Sequence, residues 1–319
     1  MPGDSLLIIN KNGDSLFISD SSINTLSPEA FRAIVEAHNK TASSDSMPDP
    51  FLIMMGVFAF ILLFGRVIYN WLKKNKQFKK AMAAYETHYD WYDDELNVYN
   101  QYYKTLPSSL KSLFLQRTAN FMFSKKFVFT GIAEEPRMRL LISAAAVQLS
   151  FGLEKYLLDY FKTIYVYRED YRYGLYNSPF MGHVSNDGIH LSWNNFLRGY
   201  ENYTDADNVG IHEMAHALTY VNFVATNDPG EDIGFKKRFR NFSKTARPIF
   251  LKLQEGAMGV LTPYAATNYN EFWAVSVETF FEKPAQLQLQ MPELYAALSQ
   301  LLNQDPLTAQ KIINIKLMR

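Results

Sequence analysis

The hydrophobic pattern changes sharply at Phe51. From Phe51 to Phe64 the chain reads FLIMMGVFAFILLF without a charge, and Gly65 to Leu72 extend the run with a single cation, Arg66. About 22 residues at about 1.5 Å each give about 33 Å, enough to cross a bilayer core. Arg66 stands near one end, where its stem can reach the headgroups, and Tyr69 and Trp71 suit an interfacial belt. Lys73, Lys74, Lys76, Lys79 and Lys80 follow at once. A buried core helix is the competing reading of so short a strictly uncharged stretch, but the flanks favour a transmembrane helix over residues 51–72. The order of the parts argues against a cleaved signal peptide, whose basic region would precede the apolar run.

Residues 1–50 are polar and acidic: Lys11, Arg32 and Lys40 stand against seven carboxylates from Asp4 to Asp49. Leu6 to Asp14 reads as a turn between two short extended runs, and Ser27-Pro28-Glu29-Ala30 as a capped helix start. Beyond the apolar run, residues 73–104 form a basic, helical juxtamembrane region, with Phe78 to Tyr103 aromatic and helical. Residues 105–319 read as one domain. Apolar spacing predicts a buried helix over Arg137–Tyr160, and β-branched and aromatic residues predict a strand over Lys162–Arg168. Asn186-Asp187-Gly188 is a turn leading into a short strand, Ile189–Trp193. Helices are expected over Asp205–Thr219 and Asn268–Phe281, the second ending before Pro284. The fold class is thus α+β, mainly helical with a small sheet.

Composition narrows the function. Hydrophobic residues make up 48% of 319, with 24 Phe and 20 Tyr, so a packed core is available. Lys plus Arg equals Asp plus Glu at 32 each, which gives no electrostatic footprint for nucleic acid. There is no cysteine, so histidines and carboxylates are the strong metal ligands left. The Lys bias after the apolar run predicts a single-pass inner-membrane protein, N-terminus out, with the domain of residues 105–319 in the cytoplasm.

The candidate chemistry lies in Gly210-Ile211-His212-Glu213-Met214-Ala215-His216-Ala217-Leu218. Two histidines four apart on a helix differ by about 40° around its axis, so His212 and His216 can meet one Zn²⁺ ion. Glu213 adjoins them and can serve as general base toward zinc-activated water. The bland alternative is a helix that happens to carry two histidines. A third ligand must come from elsewhere, and Glu255, Glu271 and Glu278 compete. Glu255 precedes a glycine in an expected loop. Glu271 opens an apolar helix, where it is either a ligand or a capping-box residue three after Asn268. Glu278 lies about 10 Å further along that helix, so the two cannot both reach one ion, and it reads as a supporting group. His190 is either a substrate-side residue or an ordinary partly buried histidine; His38, His88 and His183 carry no argument.

At this point a family resemblance emerges. Leu191-Ser192-Trp193, Asn208 to His216, Asn270 to Val275 and Glu278 to Phe281, with Ile142 to Ala146 and Ile164 to Tyr167 upstream, resemble the Mlc titration factor A family of zinc peptidases over roughly residues 105–305. That family is in turn similar to the catalytic domain of anthrax lethal factor. The resemblance implies a gluzincin-like zincin in which His212, His216 and Glu271 bind zinc, Glu213 is the base, and Tyr264, seven residues before Glu271, stabilises the oxyanion. The sequence departs from the family at Met214, where Phe is usual, and at Leu218-Thr219-Tyr220, which lacks the usual Asp. The implied function is a membrane-anchored zinc peptidase, with aminopeptidase action in view, acting on a peptide or protein. The alternative is a metal-containing module that binds a transcriptional regulator with little turnover.

Overall fold

The structure, a computed structural model, describes residues 5–9, 15–19, 27–41, 49–174, 178–225 and 232–308. The chain divides into two compact units, Met1–Leu72 and Lys73–Arg319.

In the first unit, β1 (Ser5–Ile9) and β2 (Ser15–Ser19) pair antiparallel, with Ile9 opposite Ser15. The turn expected between them, residues 10–14, lies outside the described residues. Helix α1 (Pro28–Thr41) starts where the Ser-Pro signal placed it: the Ser27 hydroxyl accepts from the Ala30 N–H at 3.2 Å. Helix α2 (Pro50–Thr87) likewise begins on a side-chain cap, the Asp49 carboxylate accepting from Phe51 N–H at 2.9 Å. Its apolar window has a mean hydropathy of 2.5 and none of it is buried, so α2 is long and apolar enough to cross a membrane.

The second unit is mainly helical with a small mixed sheet. The helical stretch expected over Phe78–Tyr103 is three pieces: the end of α2, then α3 (Tyr89–Tyr99) and α4 (Gln101–Thr105). Asn100 makes the break, because its side chain accepts from Tyr103 N–H at 2.7 Å and starts a new helix. Helix α5 (Ser108–Ser124) leads into β3 (Lys126–Thr130). Helix α6 (Pro136–Ser150) is buried almost throughout and stops ten residues short of Tyr160. Just beyond its end the backbone passes so close to Leu302 that a Cβ on Gly152 would lie 2.2 Å from the Leu302 carbonyl.

The sheet has the order β3-β4-β6-β5, with β4 (Thr163–Tyr167), β5 (Gly182–Ser185) and β6 (Gly188–Ser192). β3, β4 and β6 are parallel; β5 is an antiparallel edge strand joined to β6 by the Asn186-Asp187 turn. Trp193, expected to end the strand, instead opens α7 (Trp193–Glu201). Helix α8 (Val209–Phe223) packs on β5, β6, α6 and α10 (Tyr269–Glu282). The buried Trp273 indole of α10 donates to the Ala215 carbonyl of α8 at 3.0 Å, which fixes the two helices side by side. Helix α9 (Ile233–Gln254), a 3-10 turn (Pro263–Ala266), α11 (Pro284–Gln290) and α12 (Pro292–Leu302) complete the domain.

Candidate metal centre

Helix α8 begins four residues later than the acidic run suggests. Asn208 is its cap, its side chain accepting from Ile211 N–H at 3.0 Å. Asp205 to Asp207 belong to the loop before it, and that loop is tied down by two buried carboxylates of α10. Glu282 accepts from Ala206 N–H at 3.0 Å and from the Asn208 amide at 2.9 Å; Glu278 accepts from Asn208 N–H at 2.9 Å. The N-terminus of α8 is therefore held by the same helix that carries Glu271.

This arrangement brings His212, His216 and Glu271 together. Their Nε2, Nε2 and Oε2 atoms stand 3.1, 3.0 and 3.4 Å apart. Ligands at about 2.0–2.2 Å from a tetrahedral zinc lie about 3.3–3.5 Å from one another, so the triangle has nearly the edges of one face of such a site. The donor set fits as well: two imidazoles and a carboxylate, all partly buried, with an open side toward the cleft. Three donor atoms this close could hold one metal ion between them.

The remaining groups have distinct places. Glu278, a helical step of seven from Glu271, points to the other side of His212, with its Oε1 2.6 Å from Nδ1. Burial opposes a proton on His212, but the Glu271 and Glu278 carboxylates hold its pKa well above the ordinary value. Burial also opposes ionisation of Glu271, yet His212 and His216 keep its carboxyl well below the usual range. Burial pushes Glu278 up, with His212 pulling the other way. Asn268, not Glu271, caps α10: its side chain accepts from Asn270 and Glu271 N–H at 2.9 and 3.1 Å, leaving the Glu271 carboxylate for the histidines. Glu255 sits exposed at the end of α9, outside the cluster.

Glu213 is 5% exposed, and its Oε2 is buried without a hydrogen bond among the described residues. Burial raises its carboxyl to about 7, against the pull of His212 and His216. The neighbouring strand must be glycine at Gly182, because a Cβ there would lie 2.6 Å from the Glu213 side chain. Tyr264 is 53% exposed with its ring centroid 6.0 Å from that of His212. Burial and the Glu271 carboxylate raise its pKa, so it stays a neutral phenol. Tyr264 stands on a 3-10 turn, Pro263–Ala266, pinned by the buried Ala265.

Two cavities flank the cluster along α8. One, of about 730 Å³, runs past His216 to Phe223, Phe239 and Trp273. The other, of about 540 Å³, runs toward Asp207, Thr262 and Val275. His212, Glu213, Tyr264, Phe180 and Gly182 line both. His190 is 1% exposed, stacked between Tyr165 and His183 at 4.5 and 4.2 Å, and lines neither. His183, which the sequence left without argument, does line the larger one; its only signal was its place opposite His190 in the β5–β6 register.

A helix carrying two histidines and a glutamate over a cleft, with a carboxylate brought in by a second helix, defines a metallopeptidase domain. The chain belongs to the family of glucose-regulated metallo-peptidases M90, matched over residues 70–302. It is similar to uncharacterized protein slr2042 of Synechocystis sp. (strain ATCC 27184 / PCC 6803 / Kazusa), 29% identical over 211 residues that cover 61% of this chain and 74% of that one.

Proposed function

We propose that this metallopeptidase is a membrane-anchored, gluzincin-like zinc peptidase in which His212, His216 and Glu271 hold the metal and Glu213 is the general base. The observation that carries this reading is the ligand triangle, beside a buried carboxylate with an unpartnered oxygen. When bound, zinc supplies Lewis acidity, which lowers the pKa of water and polarises a peptide carbonyl. Glu278 accepts the Nδ1 proton of His212 and so turns the Nε2 lone pair toward the metal. Glu213 takes a proton from the attacking water and passes it to the leaving amine. The Tyr264 hydroxyl donates to the carbonyl oxygen as charge develops there.

The peptide is positioned by β5. In a two-residue hairpin Ser185 and Gly188 form a hydrogen-bonded pair, so Gly182 and Val184 turn their own N–H and C=O groups away from β6, toward the cleft. Asp207 gives the smaller cavity an acidic end suited to an α-ammonium group, which supports action on chain ends. Unblocked chromogenic peptides are thus the substrates of choice. Hydrolysis that a chelator abolishes and zinc restores is the expected result. Metal binding without turnover would favour the regulator-binding module instead.

Tyr264→Phe should keep zinc and substrate binding and lower kcat by roughly 10–10³-fold, the scale of one lost oxyanion donor. A fall in zinc content with kcat unchanged would remove Tyr264 from this role. Glu278→Gln should weaken zinc binding by roughly 10–100-fold, as loss of a group that orients a ligand does.

The anchor is residues 51–72 of α2, with the N-terminus out and the peptidase domain cytoplasmic at the inner membrane; the five lysines after the span support that direction. Protease added to spheroplasts should remove a tag at residue 1 and spare one at residue 319. The reverse pattern would overturn the orientation.

A further inference from the structure

Helix α9 carries Lys236, Lys237, Arg238, Arg240, Lys244, Arg247 and Lys252 and no carboxylate. Arg238 is engaged, 3.7 Å from the Asp232 carboxylate and donating to the Leu301 carbonyl. Lys237, Arg240, Lys244 and Arg247 are different. At helical spacing they fall within an arc of about 80°, all four are exposed, and none forms an ion pair among the described residues. Like charges three and four apart repel, so this stripe is held together against its own electrostatics.

The stripe borders a shallow, open depression. Arg240, Ser243, Lys244 and Arg247, with Tyr269 of α10, line a cavity of about 500 Å³. Arg247 lies over the Tyr269 ring at 5.8 Å, which fixes one wall. Tyr269 also lines the larger catalytic cavity, together with Asn268, Asn270 and Glu271. A chain leaving the metal centre over the first turn of α10 therefore arrives at three cations. Two of them are arginines, whose planar forks match carboxylates in bidentate fashion.

We propose that this cavity binds acidic side chains of the peptide substrate, remote from the scissile bond. The proposal rests on the peptidase reading and deepens it: the protein selects peptides with Asp or Glu on the side that passes Tyr269. The cleft then has an acidic end, at Asp207, and a basic one, so a bound peptide is oriented by its own charges.

The test compares the full chain in detergent with its Arg240→Gln/Lys244→Gln variant. One readout is binding of a fluorescent hexa-glutamate peptide, which needs no turnover. The other is hydrolysis of matched unblocked peptides carrying Glu or Gln beyond the cleft. Wild type should bind the acidic probe and cleave the Glu series with a lower KM. The variant should lose about fivefold to tenfold in both, with kcat/KM for the Gln series unchanged and the difference vanishing in high salt. Equal probe binding by the two proteins overturns the site. Stabilisation of wild type by inorganic phosphate with no preference between the Glu and Gln series overturns the substrate assignment. Loss of probe binding in the variant where neither protein cleaves any peptide keeps the site and sinks the peptidase reading.

Discussion

Glu271→Ala is expected to cost the protein its zinc. In the proposed site Glu271 is one of three protein donors, and its loss leaves two imidazoles 3.1 Å apart with no anion between them. Changing a group that merely orients a ligand weakens binding by roughly 10–100-fold, so removing a ligand outright should exceed that. Competition with a chromogenic chelator measures it on the full chain. The domain should still fold, because Glu271 is only partly buried and the cap of α10 belongs to Asn268. Glu255→Ala, at the exposed end of α9, should leave zinc affinity unchanged. If Glu278→Gln strips the metal while Glu271→Ala retains it, the ligand assignment is wrong.

Glu213→Gln should keep the metal and lose the reaction. The substitution preserves size in a site so tight that Gly182 cannot carry a Cβ, and it spares all three ligands. What it removes is the proposed proton acceptor. General acid–base help is worth roughly 10²–10⁴-fold, and kcat should fall on that scale while zinc content holds. A fall of less than about tenfold would show that Glu213 is not the base.

The site was legible where its chemistry is local. Two histidines four apart need only a helix to meet, and Asn208 and Asn268 are caps whose side chains act within three residues. The pairing of those two helices is not local. Nothing in the chain near Glu278 says that it reaches His212, 66 positions away. The start of α8 differs from the expected one: Asp205 to Asp207 look like a helix start, whereas buried carboxylates 70 and more residues on hold their loop. β5 is four residues with no hydrophobic alternation, so its place at the sheet edge comes only from pairing with β6. Helix α9 was hidden by Pro248 in its interior and by its run of cations; what sustains it is Phe235, Phe242, Ala246 and Phe250 buried on its other face. The family resemblance, by contrast, was carried by short segments on α6, β4, β6, α8 and α10, the elements that build the site.

The most direct test of the metal centre is the zinc content of the purified full chain, set beside that of Glu271→Ala. About one zinc per wild-type chain, lost from the variant and removable by chelator with a fall in melting temperature, is the predicted result. Wild-type protein that holds no zinc, and whose melting temperature does not rise when zinc is added, would contradict the account at its centre.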